Sequence, residues 1–454
     1  MYPDSSPVHS IILKLLITIL TEFTKYEADF VRKIETLLLI QVHFYIEDSS
    51  LLTVAIIGKT NVGKTTLFNA ATLLNAEISN YPFTTKEPNE GTAYVCEACV
   101  HQELGVEDNP LNSTCIDGWR YVPIRILDIP GLIKDAWVGR GLGNKFLSNI
   151  GQADALIHVV DASGSVDAEG NITQPGSGNP VQDVMDIEFE IERWIAQIIS
   201  HNKQLIARET AATSFEEAMT KTLSGIKARL SAVAQALKNS DLEDKPFTRW
   251  RQGQTIQFAS ELLPLIKPTL IIANKMDIHT AEDNIEILMD YYSHSLVAAC
   301  SAEAELALRR AEKAGLLHYT PGHEKFRIAE NAVLTAEQRR ALDYVEQRVM
   351  AKWLRTGIQQ ALNTLVFKIL KTNMVYPVAD ESRYTDTHGN VLPDAYLMPD
   401  GSTPLDLAAD IHTSLVENYV LAIDARTGMR LPKDYALRHR DIIKIMTQPR
   451  AKSK

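Results

Sequence analysis

The chain has 454 residues, 45% of them hydrophobic and 23% charged, with a formal net charge of −11. That length gives two to four domains with sizeable cores, and the acidic balance weighs against a protein that coats nucleic acid by bulk charge, though it leaves room for a local basic patch. Four cysteines, Cys96, Cys99, Cys115 and Cys300, are too few for a disulfide scaffold and suit a reducing cytosol.

In the first 50 residues, 11–20 (IILKLLITIL) is the only membrane-like stretch. It is interrupted by Lys14 and too short to span a bilayer, which takes about 20 apolar residues. No basic start or small-residue cleavage site marks a signal peptide. The stretch reads as an amphipathic or buried helix, or as an extension that does not fold alone; membrane contact is the lesser alternative.

Five apolar runs then read as buried strands: 54–57 (VAII), 122–127 (VPIRIL), 155–160 (ALIHVV), 269–273 (TLIIA) and 296–300 (LVAAC). Continuous apolarity predicts a parallel sheet covered on both faces, and the helical stretches between the runs predict a doubly wound α/β fold.

The first run leads into Gly58-Lys59-Thr60-Asn61-Val62-Gly63-Lys64-Thr65, which fits G-x-x-x-x-G-K-[ST], and then Thr66 and a helix start. The glycines let backbone N–H groups approach phosphates, Lys64 brings charge to the β and γ oxygens, and the Thr65 hydroxyl can ligate Mg²⁺. A strand before and a helix after leave little room for a chance glycine-rich turn. The second run ends in DIPGLIKD (128–135). Asp128 is the expected Mg²⁺-side carboxylate, and the Gly131 N–H can meet the γ-phosphate. The residue after the glycine is Leu132, which cannot orient an attacking water as a glutamine would.

The fourth run ends in Asn274-Lys275-Met276-Asp277. The Asp277 carboxylate can accept from guanine N1–H and N2–H₂; adenine offers no such pair, and the buried acceptor would stay unpaired. Lys275 is expected against the base plane, and Asn274 is expected to tie this loop to the phosphate loop. After the fifth run come Ser301 and Ala302, whose backbone N–H is expected on guanine O6. Four such motifs in order, each after a strand, make this a GTP/GDP-binding domain.

Two long segments interrupt the strands. Met219, Leu223, Ile226, Leu230, Val233 and Leu237 are spaced as a coiled-coil seam, with Ser214 and Glu217 as a capping box and Val184, Ile187, Ile191, Ile195 and Ile198 as a partner stripe. Residues 181–260 therefore read as an inserted helical hairpin; 303–372 is also helix-rich. A loop is expected over 163–180 and a small α+β module from about 374. Three thiols and His101 admit a Cys₃His zinc site (Cys96, Cys99, Cys115, His101), but the missing second C-x-x-C weighs towards unligated cysteines in a hairpin. The basic tail, 438–454, either touches RNA or is solvated.

GKTNVGKTTLFNA, YPFTTKEPNEG (81–91), DIPGLIKDAWVGRGLGNKF (128–146) and the carboxy-terminal module together resemble the Obg/YchF family of GTPases, and NSTCIDGWRYVPI and ADALIHVVDASGS resemble its archaeal YchF-like members. The resemblance covers about 51–450. It implies a P-loop NTPase domain in two parts (51–180 and 261–372), an inserted helical, coiled-coil domain (181–260) and a β-grasp TGS domain (373–450). Residues 1–50 lie outside the resemblance and read either as a genuine appendage or as an over-extended start. It further implies a cytoplasmic protein linked to ribosomes or RNA through the helical and TGS domains, with no membrane span. The activity implied is hydrolysis of GTP as a Mg²⁺-dependent switch. A nucleotide-sensing adaptor with negligible hydrolysis, which Leu132 favours, and an ATPase remain alternatives. Thr85, or else Thr84, matches the switch threonine that closes over Mg²⁺ and the γ-phosphate. Asn61 matches an asparagine that helps hold K⁺; its alternative is a loop-shaping hydrogen bond.

Overall fold

The computed structural model describes residues 51–72, 90–130 and 149–448. Two units divide after Leu51, and the described residues belong almost wholly to the second. Residues 11–20, Thr84, Thr85, Gly131 and Leu132 lie outside the described residues. Among those described, no helix is long and apolar enough to cross a membrane.

The main sheet is built from β1 (Thr53–Ile57), β2 (Glu90–Ala98), β3 (Thr114–Ile116), β4 (Trp119–Asp128), β5 (Ala155–Asp161), β6 (Thr269–Asn274) and β7 (Val297–Ala299). Its order is β2-β4-β1-β5-β6-β7, with β3 also on β4. The inner pairs are parallel, with Ile56 opposite Asp128, Ile57 opposite His158 and Asp161 opposite Asn274. β2 and β3 run antiparallel to β4. From β1 the chain steps first to β4 on one side and then to β5 on the other. The crevice at the carboxyl ends of β1, β4 and β5 is therefore a switch point, where such sheets bind ligands.

Every residue of β1 is buried, as a strand covered on both faces requires. Val54 and Ile56 face a core shared with α1 (Lys64–Thr72), while Ala55 and Ile57 face the inserted helices. Each of the valine and isoleucine side chains contributes about 1.5–3 kcal/mol on burial.

Between α1 and the insert lies the short α2 (His101–Leu104). The insert between β5 and β6 is made of α3 (Pro180–His201), α4 (Lys203–Glu209), α5 (Phe215–Thr222), α6 (Leu230–Asn239) and α7 (Gln252–Ile266). The Ser214–Glu217 capping box starts α5 as expected. A continuous seam does not form, so the insert is not a two-helix hairpin. A 3₁₀ turn, Ser224–Ile226, follows α5, and Lys227 takes a left-handed φ of 58°. Gly225 sits inside the expected seam, where it has no side chain to pack and costs helix stability. Leu230 is 49% exposed, whereas Met219, Leu223, Val233 and Leu237 are buried around α3 and α7. Phe215, Phe247, Trp250 and Phe258 supply the insert's aromatic centre, with neighbouring rings 5.1–5.4 Å apart.

Beyond β6 come α8 (Ala281–Tyr292), α9 (Ala302–Lys313), a short hairpin of β8 (Leu317–His318) and β9 (Arg327–Ile328), α10 (Ala336–Tyr344) and α11 (Ile358–Asn363). α10 and α11 each run on into a wider π-helical turn, Val345–Met350 and Thr364–Ile369. The carboxy-terminal sheet has the order β11-β10-β14-β12-β13, with β10 (Thr372–Val378), β11 (Tyr396–Pro399), β12 (Tyr419–Asp424), β13 (Arg430–Leu431) and β14 (Ile442–Thr447). β10 and β14 are parallel and central, and α12 (Pro404–Ile411) covers the sheet through Leu407. Met374, Tyr376 and Leu392 join the core of the nucleotide-side sheet, so this module shares apolar contacts with it. Three basic residues approaching the chain's end have acidic neighbours. Arg440 pairs with Glu103 at 2.8 Å, His439 lies 3.6 Å from Glu97, and Lys444 pairs with Glu381. Within 438–448, β14 is part of the sheet while Arg438 is exposed; 449–454 lie outside the described residues.

Candidate nucleotide site

The loop between β1 and α1 needs its glycines. Gly58 (φ 146°) passes so close to β5 that a Cβ would lie 2.3 Å from the Val159 carbonyl oxygen. Gly63 (φ 98°) would press a Cβ to 2.3 Å from the Asn274 amide nitrogen. That closeness has a use: Asn274 Nδ2 donates to the Val62 carbonyl at 2.9 Å, joining the two loops.

Lys64 and Thr65 open α1 directly after the loop, and a helix N-terminus is the usual setting for an anion. The Lys64 ammonium donates to the Lys59 carbonyl at 2.5 Å. Burial pulls its pKa down to about 8, against the opposing charge of Asp128. The Thr65 hydroxyl donates to Asp128 Oδ2 at 2.7 Å. Burial lifts the Asp128 carboxyl above its ordinary value, and the Thr65 bond and Lys64 only partly counter this. Thr66, half-buried, continues the helix. Two hard oxygen donors, Thr65 and Asp128, thus converge beside one lysine, a donor set that fits Mg²⁺.

The side chains of other motif residues have partners within the protein. The Lys59 side chain ion-pairs with Asp183 (2.7 Å) and Asp186 (3.1 Å) on α3. Burial alone would lower its pKa; the two carboxylates more than offset this and raise it. The Thr60 hydroxyl and Asn61 Nδ2 both donate to the Gly170 carbonyl, at 3.2 and 2.9 Å. Asn61 (φ 62°) therefore makes the loop-shaping hydrogen bond that was the alternative to K⁺. The 163–180 segment thus closes on the phosphate loop through a backbone atom, which no sequence motif announces.

Lys275 donates to Asp161 (2.8 Å) and Ser165 (3.2 Å). Asp161 also accepts from the Ser163 and Ser165 N–H and hydroxyl groups, so β5 ends in a fully occupied carboxylate. Asp277 is half-buried and accepts from the Tyr344 hydroxyl at 3.0 Å. Ser301 caps α9 through the Ala304 N–H. The Ala302 N–H does not stand free for a base; it donates to Asn274 Oδ1 at 3.0 Å. His158, fully buried below the loop, has no hydrogen-bond partner at either ring nitrogen among the described residues. Burial first, then the charges of Lys64 and Lys59, hold its pKa down to about 3, so it stays neutral. A separate cleft of about 740 Å³, lined by Trp119, His318 and His323 among others, contains none of the nucleotide-motif residues.

Against known families, residues 53–207 match the model described as 50S ribosome-binding GTPase. Residues 272–380 match the Obg-like GTPase YGR210-like, G4 motif-containing domain, and 387–447 match the TGS domain. A GTP-binding protein of Methanocaldococcus jannaschii is 43% identical over 87% of this chain and 98% of its own length. The chain belongs to the Obg/YchF family of GTPases. Within the family, the Bacillus subtilis relative named ribosome-binding ATPase YchF is 31% identical over 58% of this chain and 69% of that protein. The crystal structure of a GTP-binding protein from Pyrococcus horikoshii OT3 superposes with a TM-score of 0.70 at 34% identity, covering 87% of this chain and all of that one. The Schizosaccharomyces pombe YchF GTPase shares the fold, with a TM-score of 0.53 at 18% identity. It covers 87% of this chain and 98% of its own. The chain is a YchF-like GTP-binding protein with the P-loop fold of nucleotide hydrolases.

The cysteine cluster differs from the expected set. Cys96 and Cys99 are three residues apart at the end of a strand, and they face opposite ways. Cys96 packs with Tyr94 and Tyr121 and takes a 3.6 Å bond from Asn363. Asp108 instead joins Cys99, His101 and Cys115.

Proposed function

We propose that the protein hydrolyses GTP to GDP and phosphate as a Mg²⁺-dependent switch that acts on ribosomes in the cytoplasm. The observation that carries this reading is the convergence of Lys64, Thr65 and Asp128 at one strand edge, 2.7 Å separating the threonine and aspartate oxygens. Phosphoryl transfer asks a protein chiefly for positioning and charge. In this reading, backbone N–H groups of 58–65 hold the phosphates. Lys64, freed from the Lys59 carbonyl, neutralises charge on the β and γ oxygens. Thr65 and Asp128 hold Mg²⁺, which when bound neutralises phosphate charge. Thr85 and Gly131 would close on the γ-phosphate.

Asp277 favours guanine, with Tyr344 fixing one carboxylate oxygen. A base seated there would reach the Ala302 N–H only by competing with Asn274. For Asn61, a K⁺ would use the side-chain Oδ1, and the Nδ2 bond to the Gly170 carbonyl would orient that amide. Leu132 supports a slow intrinsic rate, and it is also the observation behind the second reading, a nucleotide-sensing adaptor. The decisive experiment has two arms. GTP and ATP compete for the purified protein, and phosphate release is followed in single turnover with Mg²⁺, K⁺ and ribosomes. Selective displacement by GTP with ribosome-accelerated release is expected. Equal displacement by ATP removes the guanine assignment, and release no faster than in buffer leaves the adaptor.

A further inference from the structure

We propose that Cys99, His101, Asp108 and Cys115 bind one structural Zn²⁺ that pins the carboxy-terminal module to the nucleotide domain.

The four side chains come from three places: the end of β2 and the turn into α2, the following loop, and β3. All four candidate ligand atoms lie within 4.8 Å of one another. A tetrahedral Zn²⁺ with Zn–S of about 2.3 Å and Zn–N or Zn–O of about 2.0–2.1 Å has ligand–ligand edges of about 3.3–3.8 Å. Three of the six edges are Cys99 Sγ to Asp108 Oδ2, 3.3 Å; Cys115 Sγ to His101 Nδ1, 3.6 Å; and His101 Nδ1 to Asp108 Oδ2, 3.4 Å. These three separations fit edges of the coordination polyhedron, and no other pair of ligand atoms is more than 4.8 Å apart. Mixed sulfur, nitrogen and oxygen donors select zinc over the hard cation of the nucleotide site.

Charge supports the assignment. Arg120 is fully buried and donates to Cys99 Sγ (3.4 Å) and Asp108 Oδ2 (2.8 Å). Two thiolates, a carboxylate, a neutral imidazole and a dication leave one negative charge, which the guanidinium cancels. Hydrogen bonds from such a neighbour also orient the ligands. Arg120 itself lies over the Tyr376 ring of β10, 5.5 Å from its centroid, and donates to the Leu392 carbonyl at 3.0 Å.

The location explains what the ion would do. The loop holding Asp108 lays its backbone along the module: Asn109 N–H donates to the Val391 carbonyl (2.8 Å) and Leu111 N–H to the Pro393 carbonyl (2.6 Å). Asn112 and Ala395 exchange two further bonds. An ion tying the loop to β2 and β3 therefore holds this docking edge in shape.

The test uses the full chain. Metal analysis of protein produced in zinc-supplemented medium should give about one zinc per chain. After chelation, Co²⁺ added to the wild-type protein should give a thiolate charge-transfer band and the intense visible bands of a tetrahedral site. Hydrogen exchange at 109–112 and 390–395 should rise on chelation and fall again on adding zinc. Cys99→Ser with Cys115→Ser should abolish the cobalt bands. A folded wild-type protein that carries no zinc and gives only the pale spectrum of octahedral cobalt overturns the proposal, whatever the variants do.

Discussion

Strand β4 buries a charged side chain near each end, and the two ends treat their charges differently. Arg120 has no exposed surface and donates to Cys99, Ser113, Asp108 and the Leu392 carbonyl. Asp128, eight residues on, is nearly as buried but accepts from Thr65 alone among the described side chains, and burial raises its pKa. A charge with four of its five N–H bonds made is an anchor, and displacing it costs the whole network. A charge left short of partners is destabilised in the empty protein and keeps capacity for a ligand. One strand thus links a finished structural joint to an unfinished site.

The sharpest way to break this contrast is to alter the unfinished end. Lys64→Ala and Asp128→Asn should each slow single-turnover phosphate release by about 10²–10³-fold while the melting temperature changes little. Wild-type rates in both would remove any catalytic meaning from Asp128. At the other end, Arg120→Met leaves Asp108 without its cation. It should cost about 3–5 kcal/mol of folding stability in denaturant titrations, with nucleotide affinity unchanged. If affinity falls in step with stability, the two ends are not independent. Asp277→Asn should weaken GTP binding about 10–100-fold, since a charged acceptor is lost, and improve binding of a xanthine nucleotide. Tyr344→Phe tests the support of that acceptor and should cost only a few-fold, the worth of about one hydrogen bond.

The smallest effect is in pH. Lys64 in the empty protein is held to about 8, below the ordinary 10.5. The unfolded chain keeps that proton longer, so this group makes the empty protein gain stability as pH rises between those values. Triphosphate favours the charged form and opposes the shift. Binding should therefore take up protons from about pH 8 upward, and affinity should fall about twofold between pH 7 and 8. Calorimetry in buffers of different ionisation heat measures this uptake. Proton release instead would mean that Lys64 does not meet the phosphates.

The nucleotide edge was legible in sequence because its chemistry is local: glycine, lysine and threonine within one loop, and aspartate or asparagine at a strand end. What escaped comes from far along the chain or from backbone atoms. The Gly170 carbonyl meets Asn61 across 109 positions, and Tyr344 meets Asp277 across 67. The Ala302 N–H likewise has a partner the motif does not announce, the Asn274 side chain. The inserted domain was legible as helical from its apolar spacing. Counting that spacing across Gly225 produced a seam that the left-handed turn at Lys227 interrupts. Asp108 offered no motif at all; it joins the cysteines only because the loop after α2 folds back.

The Lys59 ion pairs give the insert a mechanical grip on the phosphate loop. Helix α3 has 22 residues, so it is a rod about 33 Å long. Asp183 and Asp186, in its first two turns, hold the lysine that precedes Thr60. A force on the far end of that rod acts through a fulcrum beside the triphosphate pocket. Tilting the rod must either drag the loop with it or pull apart an ion pair that is largely shielded from water. The insert is in that sense a crank handle fixed to the nucleotide pocket.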